Sequence, residues 1–162
     1  MTNLRDLLRA LGSADVDFIL VGGVAAAAHG SGRLTQDVDI VYRRGADNIE
    51  KLVAGLESFR PYLRGAPPGL PFRFDAATIS AGLNFTLTTD IGPIDLLGEI
   101  AGGGRYEDLS NHSICAEAFG VQCRVLDLET LIATKRAAGR PKDFEGIAEL
   151  ELLRDRHKPG VQ

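Results

Sequence analysis

The chain has 162 residues, of which 44% are hydrophobic and 25% charged, and its formal net charge is −4. This length is enough for one domain with a buried core, and the composition is that of an ordinary globular protein in water. The slightly acidic balance gives no support for a protein that coats nucleic acid through a basic surface, although it leaves a local basic patch open.

Cysteine usage and apolar runs indicate the cellular setting. Cys115 and Cys123 have neither the spacing of a metal site nor the number of a disulfide framework, so we expect reduced thiols in the core or on strands. The apolar run at 18–21 is far too short to cross a bilayer, and the N-terminus lacks the apolar core of a signal peptide. We therefore expect a cytoplasmic protein that has no contact with a membrane.

The first element is predicted to be an amphipathic helix, because Leu4, Leu7, Leu8 and Leu11 recur at the spacing of one helical face. Apolar runs, alternation and turn residues predict the later elements in the same way. These are strands at 18–21 and 37–42, helices at 24–28 and 46–58, a hairpin of strands at 83–88 and 93–97, strands at 112–118 and 121–125, a helix at 128–138 capped by Asp127, and a last helix at 141–153. No break in composition divides the chain, so we expect one domain over 1–162, with a sheet-containing core at 1–126 and a pair of helices at 127–155.

Residues 60–73 differ from the rest of the chain. They contain four prolines, two glycines and three arginines. A loop of this length inside a compact domain is often functional or mobile. We interpret it as a contact region for an acceptor or a partner.

The most informative feature is a pair of aspartates, Asp37 and Asp39, inside the best strand pattern of the chain. Aspartate is depleted in strands, and residues two apart on a strand point to the same face. Their Cα atoms are then about 6.6 Å apart, from a rise of about 3.3 Å per residue. Such a pair suits oxygen ligands that share one divalent cation or bridge two, whereas an isolated pair of this kind is usually solvated.

A third carboxylate, Asp95, lies in an apolar strand on the second arm of the predicted hairpin. A neighbouring strand is about 4.8 Å away, so this carboxylate can reach the same ion. Mg²⁺ favours one or two carboxylates together with phosphate oxygens and water. Two ions about 3.5–4 Å apart can hold both the attacking and the leaving oxygen of a displacement. Asp95 is also a candidate general base for an incoming hydroxyl, although a surface position near a turn remains the alternative.

The candidate nucleotide contacts are a glycine turn and three polar side chains. Gly22 and Gly23 end an apolar strand and open a helix, where bare backbone N–H groups can hold phosphate. Lys135 occupies a position where the apolar stripe of its helix expects an apolar residue; it is interpreted either as a phosphate contact or as a lysine reaching out to solvent. Arg33 is a candidate for the triphosphate, and Thr35 either contacts nucleotide or bonds locally to the backbone.

Taken together, these residues resemble a known family. The run from Gly22-Gly23 through Arg33 and Thr35 to Asp37 and Asp39 resembles the signature of the DNA polymerase β-like nucleotidyltransferase superfamily. It is most similar to small bacterial members: aminoglycoside and lincosamide nucleotidyltransferases, and the nucleotidyltransferases of toxin–antitoxin and abortive-infection systems. The later segment with Lys135, Arg140, Lys142 and Asp143 is similar to a Lys-x-x-x-x-Arg-x-Lys-Asp segment of the last group.

The resemblance implies an α/β (α+β) fold with a mixed twisted sheet flanked by helices. It also implies two Mg²⁺ ions and transfer of a nucleoside monophosphate from a triphosphate, by default ATP, with release of pyrophosphate. By position, Asp37, Asp39 and Asp95 would hold metal, while Gly22 and Gly23 would contact the triphosphate. The acceptor stays open among a small molecule, a tRNA end and a protein. Because the C-terminal helical region is small, a protein partner or a second copy is expected to complete the pocket.

Two other hypotheses stand beside the nucleotidyltransferase. A dinucleotide-binding domain is disfavoured, because residues 21–26 lack the G-x-G-x-x-G pattern and two acids occupy the next strand. A binding module remains the second hypothesis, in which the fold is kept but the protein works by contact, for example as an antitoxin that holds a toxin.

Overall fold

The computed structural model describes residues 3–141 and 143–156, which build one seven-stranded sheet with helices packed on it. The strands are β1 (Phe18–Val21), β2 (Val38–Tyr42), β3 (Tyr62–Leu63), β4 (Asn84–Thr89), β5 (Gly92–Leu97), β6 (Ser113–Ala118) and β7 (Val121–Leu126). Their order across the sheet is β3-β4-β5-β2-β1-β7-β6. Strand β1 is parallel to β7 and β2 is parallel to β5, whereas the other neighbours are antiparallel. The mixed sheet implied by the family resemblance is therefore confirmed.

Seven α-helices lie within the described part of the chain. They are α1 (Leu4–Ser13), α2 (Gly22–Ala28), α3 (Ala46–Leu56), α4 (Ala76–Ala81), α5 (Tyr106–Leu109), α6 (Leu128–Ala138) and α7 (Asp143–Arg156). Helix α1 packs against α3 and β7, and α3 packs against α4. Helix α2 contacts α6, which packs along α7. None of the helices in residues 3–141 and 143–156 is both long and apolar enough to cross a membrane.

The core is built from the apolar faces that the sequence pattern indicates. In α1 the side chains of Leu7, Leu8 and Leu11 are fully buried, as the helical spacing predicts. All four residues of β1 are buried, which fits a strand near the middle of the sheet with both faces covered. Helix α6 begins at the predicted N-cap, where the Asp127 side chain accepts a hydrogen bond from the Thr130 N–H.

Several predicted boundaries differ from the structure. Helices α4 and α5 were not predicted, because with six and four residues they are too short to show a helical period. The last helix begins at Asp143, and Pro141 lies in a turn before it instead of being its first residue. The loop at 60–73 contains a short strand, β3, which pairs with β4 and extends the sheet at its edge. Lys142 lies outside the described residues.

Candidate active site

Strand register brings two of the three predicted carboxylates side by side. Asp39 on β2 pairs directly with Asp95 on the parallel strand β5. Paired residues of neighbouring strands point to the same face of a sheet, so both carboxyl groups lie on one side. On the other flank of β2, Val21 is the register partner of Asp39, and the glycine turn follows at once. The sheet thus places an acid pair next to the Gly22-Gly23 bend.

The third predicted carboxylate, Asp37, lies just before β2 and is linked to Asp95 by an arginine. The Arg64 guanidinium donates from Nη2 to Asp95 Oδ1 over 2.8 Å, and its Nη1 is 3.8 Å from Asp37 Oδ2. Residues two apart in extended chain share a face, which explains why Asp37 joins the acid pair. The three acids that the sequence singled out are therefore brought together around one guanidinium.

The first residue of α2, Gly22, lies against the Asp39 carboxylate. Gly22 has φ +64, and a Cβ at this residue would collide with Asp39 Oδ2. A Cβ at Gly23 would come within 2.7 Å of Thr35 Oγ1. Both residues must therefore lack side chains for different reasons: Gly22 because of its left-handed backbone and the carboxylate, Gly23 because of the Thr35 hydroxyl. The result is bare backbone facing the acids.

Asp39 has an unusual protonation equilibrium. Burial of the carboxyl group raises the pKa of Asp39 to about 7, and repulsion from Asp95 and Asp37 and a hydrogen bond with Asp95 add to this effect. The positive charge of Arg64 lowers the pKa of Asp39 and so opposes these effects. Loss of water and like charges nearby both disfavour the ionised form. The Asp39 carboxyl group, with its pKa near 7, is therefore partly protonated near neutral pH.

The acids have the chemistry of a Mg²⁺ site, although they are not already gathered around one ion position. Asp39 Oδ1 is buried and has no hydrogen-bond partner among residues 3–141 and 143–156. A buried acceptor without a donor is costly, and an oxygen-preferring cation would satisfy it. Across the same residues, no three acidic, His or Cys side chains already surround a common ion position. The Arg64 guanidinium lies between two of these acids, 2.8 Å from Asp95 Oδ1 and 3.8 Å from Asp37 Oδ2.

Near the C-terminal helices, the basic side chains of Lys135 and Arg140 are held by the buried carboxylate of Asp143. Asp143, at the start of α7, is 5% exposed. Its carboxylate accepts from Arg140 Nε over 2.9 Å and lies 4.0 Å from Lys135 Nζ. The left-handed Gly139 ends α6 and lets the chain turn back so that these groups meet. Lys135 is largely buried, with 19% of its side chain exposed, instead of reaching freely into solvent.

These elements surround one polar cleft. It encloses about 320 Å³. Its lining combines the glycine turn and the three acids with Arg33 and with residues of α6, α7 and the turn between these helices: Gly22, Gly23, Arg33, Asp37, Asp39, Asp95, Lys135, Arg140, Asp143 and Gly146. The structure therefore brings together every residue proposed for metal or nucleotide except Thr35.

Thr35 and Arg33 have local partners. The Thr35 hydroxyl donates to the Asp37 carbonyl over 3.2 Å, so its observed contact is the local backbone bond that was its alternative interpretation. Arg33 lines the cleft, and its guanidinium lies 3.4 Å from the exposed Glu145. This surface pair is weak, so Arg33 keeps the freedom to turn toward an anion in the cleft.

Sequence reasoning missed Arg64 as a member of the site. From sequence alone, Arg64 is only one of three arginines in the loop at 60–73. The available signal was its position directly after a two-residue apolar stretch, Tyr62–Leu63, which forms β3. Two residues are too few to predict a strand, and pairing of β3 with β4 is what carries Arg64 to the acids.

Comparison with solved structures defines the class of fold. The lincosamide antibiotic adenylyltransferase LnuA, with lincomycin bound, has a TM-score of 0.61 at 16% identity, over 94% of this chain and 98% of that one. ANT(2″)-Ia, in complex with adenylyl-2″-tobramycin, has a TM-score of 0.57 at 16% identity, over 93% and 92%. TM1012 from Thermotoga maritima has a TM-score of 0.51 at 18% identity, over 93% and 88%. The fold is that of the nucleotidyltransferases.

The sequence itself gives the family. Residues 5–144 match the family described as "Nucleotidyl transferase AbiEii toxin, Type IV TA system". The chain belongs to this AbiEii family of nucleotidyltransferase enzymes. This membership is consistent with the resemblance of the motif to the polymerase β-like superfamily. No curated protein sequence matches the chain significantly.

Proposed function

We propose that this enzyme transfers a nucleoside monophosphate from a nucleoside triphosphate, ATP by default, to an acceptor hydroxyl, and releases pyrophosphate. The observation that carries the proposal is the register pairing of Asp39 with Asp95 beside the Gly22 turn. Two structural neighbours are described as an adenylyltransferase and as a complex with an adenylylated antibiotic, which supports ATP as the donor.

Asp37, Asp39 and Asp95 would hold the metal in this proposal, as one or two Mg²⁺ ions. Bound Mg²⁺ supplies neutralisation of the charge that develops on the triphosphate during displacement at the α-phosphorus. The orphaned Asp39 Oδ1 supports this assignment, because its lone pairs face no donor in the described structure. Asp95 would also accept the proton of the attacking hydroxyl on its carboxylate.

The remaining residues of the cleft would bind and orient the triphosphate. The bare backbone of Gly22 and Gly23 permits close approach of phosphate oxygens. Lys135 and Arg33 line the same cleft from its other walls and supply positive charge. Most of the rate in such reactions comes from alignment and charge neutralisation, which is what this arrangement of fixed charges would provide.

A direct experiment measures transfer of label. The chain is incubated with α-phosphate-labelled ATP, CTP, GTP or UTP, Mg²⁺ and three acceptor classes: aminoglycoside or lincosamide antibiotics, tRNA, and protein. We expect Asp37→Asn and Asp39→Asn each to lower incorporation by about a hundredfold or more, the scale of losing electrostatic transition-state stabilisation. Asp15→Asn is the matched control, because the Asp15 side chain is 92% exposed and lies outside the cleft. Unchanged incorporation in the two site variants would refute the proposal.

A role in a toxin–antitoxin pair is the second proposal. The family description names a toxin of such a system, which supports the toxin component over the antitoxin considered from sequence alone. Expression in a sensitive host, with and without the neighbouring gene, tests it. Growth arrest that depends on Asp39 supports a catalytic toxin. A stoichiometric partner that co-purifies with a chain unable to transfer nucleotides would favour the binding-module hypothesis instead.

A further inference from the structure

The position of Arg64 is fixed by the sheet. Its backbone N–H donates to the Thr86 carbonyl over 3.0 Å, which continues the pairing of β3 with β4. Its Nη2 donates both to the Leu87 carbonyl over 2.7 Å and to Asp95 Oδ1 over 2.8 Å. The guanidinium is therefore anchored to backbone on one side and to the acids on the other, and 30% of the side chain is exposed.

The same segment contains a second pair with similar chemistry that serves for comparison. Arg60 donates from Nε and Nη2 to the two carboxylate oxygens of Asp90, over 2.9 and 3.0 Å. The Arg60 side chain is 82% exposed, and this pair lies on the surface, outside the cleft. An arginine–aspartate pair is thus present at both ends of β3, but only Arg64 faces three acids.

The pairing around Arg64 leaves two polar atoms without partners. Arg64 Nε and Asp39 Oδ1 are both buried and make no hydrogen bond to any described residue. A buried donor and a buried acceptor that remain unpaired each cost free energy. The guanidinium therefore compensates the charge of the acids without saturating their hydrogen bonds, so it does not replace a bound metal ion fully.

From these contacts we infer that Arg64 is a positioning residue that competes with the divalent cation for Asp95, so that the metal site forms only when the guanidinium withdraws. This inference rests on the proposed function, because it presumes that the acids hold metal. In the metal-free protein Arg64 offsets the repulsion among Asp37, Asp39 and Asp95. A Mg²⁺ ion on Asp95 would bring its double positive charge close to the guanidinium that now binds Asp95 Oδ1 over 2.8 Å, and the two cations would repel each other.

The first test titrates Mn²⁺ alone into the nucleotide-free full chain, followed by electron paramagnetic resonance of free Mn²⁺. We expect Arg64→Gln to bind Mn²⁺ at least about fivefold more tightly than the wild type, since the competing charge is gone. Arg60→Gln is the matched control and should bind Mn²⁺ like the wild type. Equal affinity in all three chains, or weaker binding by Arg64→Gln, overturns the inference while the proposed function stands. Absence of Mn²⁺ binding in every chain also overturns the inference, whereas the proposed function is decided separately by the transfer of label from the triphosphate.

A second measurement keeps the wild-type side chain in place. In nitrogen-15 spectra, the Arg64 Nε–H signal is assigned by its loss in Arg64→Lys, and the Arg60 signal by its loss in Arg60→Lys. We expect saturating Mg²⁺ to shift the Arg64 signal and to leave the Arg60 signal in place. An Arg64 signal that is unmoved at Mg²⁺ saturation means that the guanidinium stays on Asp95, and it overturns the inference.

Discussion

Gly22 and Asp39 are in contact so close that the site has no space for a side chain between them. Gly22 has φ +64, and a Cβ there would meet Asp39 Oδ2. One residue after the end of β1, the backbone therefore lies directly against the carboxylate of β2. This contact links the glycine turn, which would receive phosphate, to an acid that would hold metal.

The first prediction concerns Gly22→Ala. We expect a loss of roughly 1–3 kcal/mol in the free energy of unfolding, because a non-glycine residue in the left-handed region is strained, and a loss of nucleotide transfer, because Asp39 must move. Urea denaturation and label incorporation measure the two effects. Gly12→Ala is the control, since a Cβ at Gly12 would meet no described atom within 4 Å. If Gly22→Ala behaves like Gly12→Ala in both assays, the close contact of Gly22 with Asp39 matters neither for stability nor for nucleotide transfer.

The second prediction concerns pH and Asp39. Its pKa in the folded protein is about 7, against 3.8 for the ordinary side chain. Between these values the folded state binds the proton more firmly than the unfolded state, so this group's contribution to stability is present below pH 4 and is lost as pH rises through about 7. Asparagine has no proton to lose. In EDTA, the unfolding free energy of Asp39→Asn relative to the wild type should therefore increase from pH 5 to pH 8.

The same series with Asp15→Asn provides the reference, because the Asp15 side chain is 92% exposed. We expect its difference from the wild type to change little over this range. A flat difference for Asp39→Asn would mean that Asp39 is ionised throughout and that the acid pair shares no proton.

The third prediction concerns Lys135→Met. Lys135 lines the cleft, and its removal leaves Asp143 paired with Arg140, so the fold should persist. A hydrogen bond to a charged group contributes about 1.5–3 kcal/mol, so we expect the KM for the triphosphate to rise by about tenfold to a hundredfold. Steady-state kinetics measure this change. Lys51→Met, at an exposed lysine near Asp15, should leave KM as it is; an equally small effect at Lys135 would assign that residue to packing alone.

The fourth prediction concerns Asp143→Asn. This buried carboxylate lies between Arg140 and Lys135, and asparagine would leave both cations without their counter-charge. We expect a loss of about 1–3 kcal/mol in unfolding free energy and a higher KM for the triphosphate. Glu145→Gln serves as the control on the same helix, because the Glu145 side chain is 87% exposed. Stability equal to that of the control would show that Asp143 does not hold the two cations.

Local pattern was sufficient for most elements near the site. The spacing of Leu4, Leu7, Leu8 and Leu11 predicted α1, and the apolar run at 18–21 coincides with β1. The glycines that follow β1 marked the turn, and the aspartates within the strand patterns marked the acids, because aspartate is unfavourable inside strands without a specific reason. Short elements such as α4 and β3 could not be predicted, since six residues of helix or two residues of strand are too few to show a period.

For this protein, the sequence by itself determined the family, the sheet-forming segments and the identity of the three acids, because backbone preference and residue chemistry are local properties. Only the tertiary structure decided that Asp39 lies in register with Asp95, that Asp143 holds Lys135 and Arg140, and that Arg64 reaches the acids. The pairings of Asp95 with Asp39 and with Arg64 join residues far apart in the chain, and the contacts of Asp143 depend on how α7 packs along α6. They depend on which strands and helices become neighbours, and pairing of that kind is set by the packing of the whole sheet and not by any one segment.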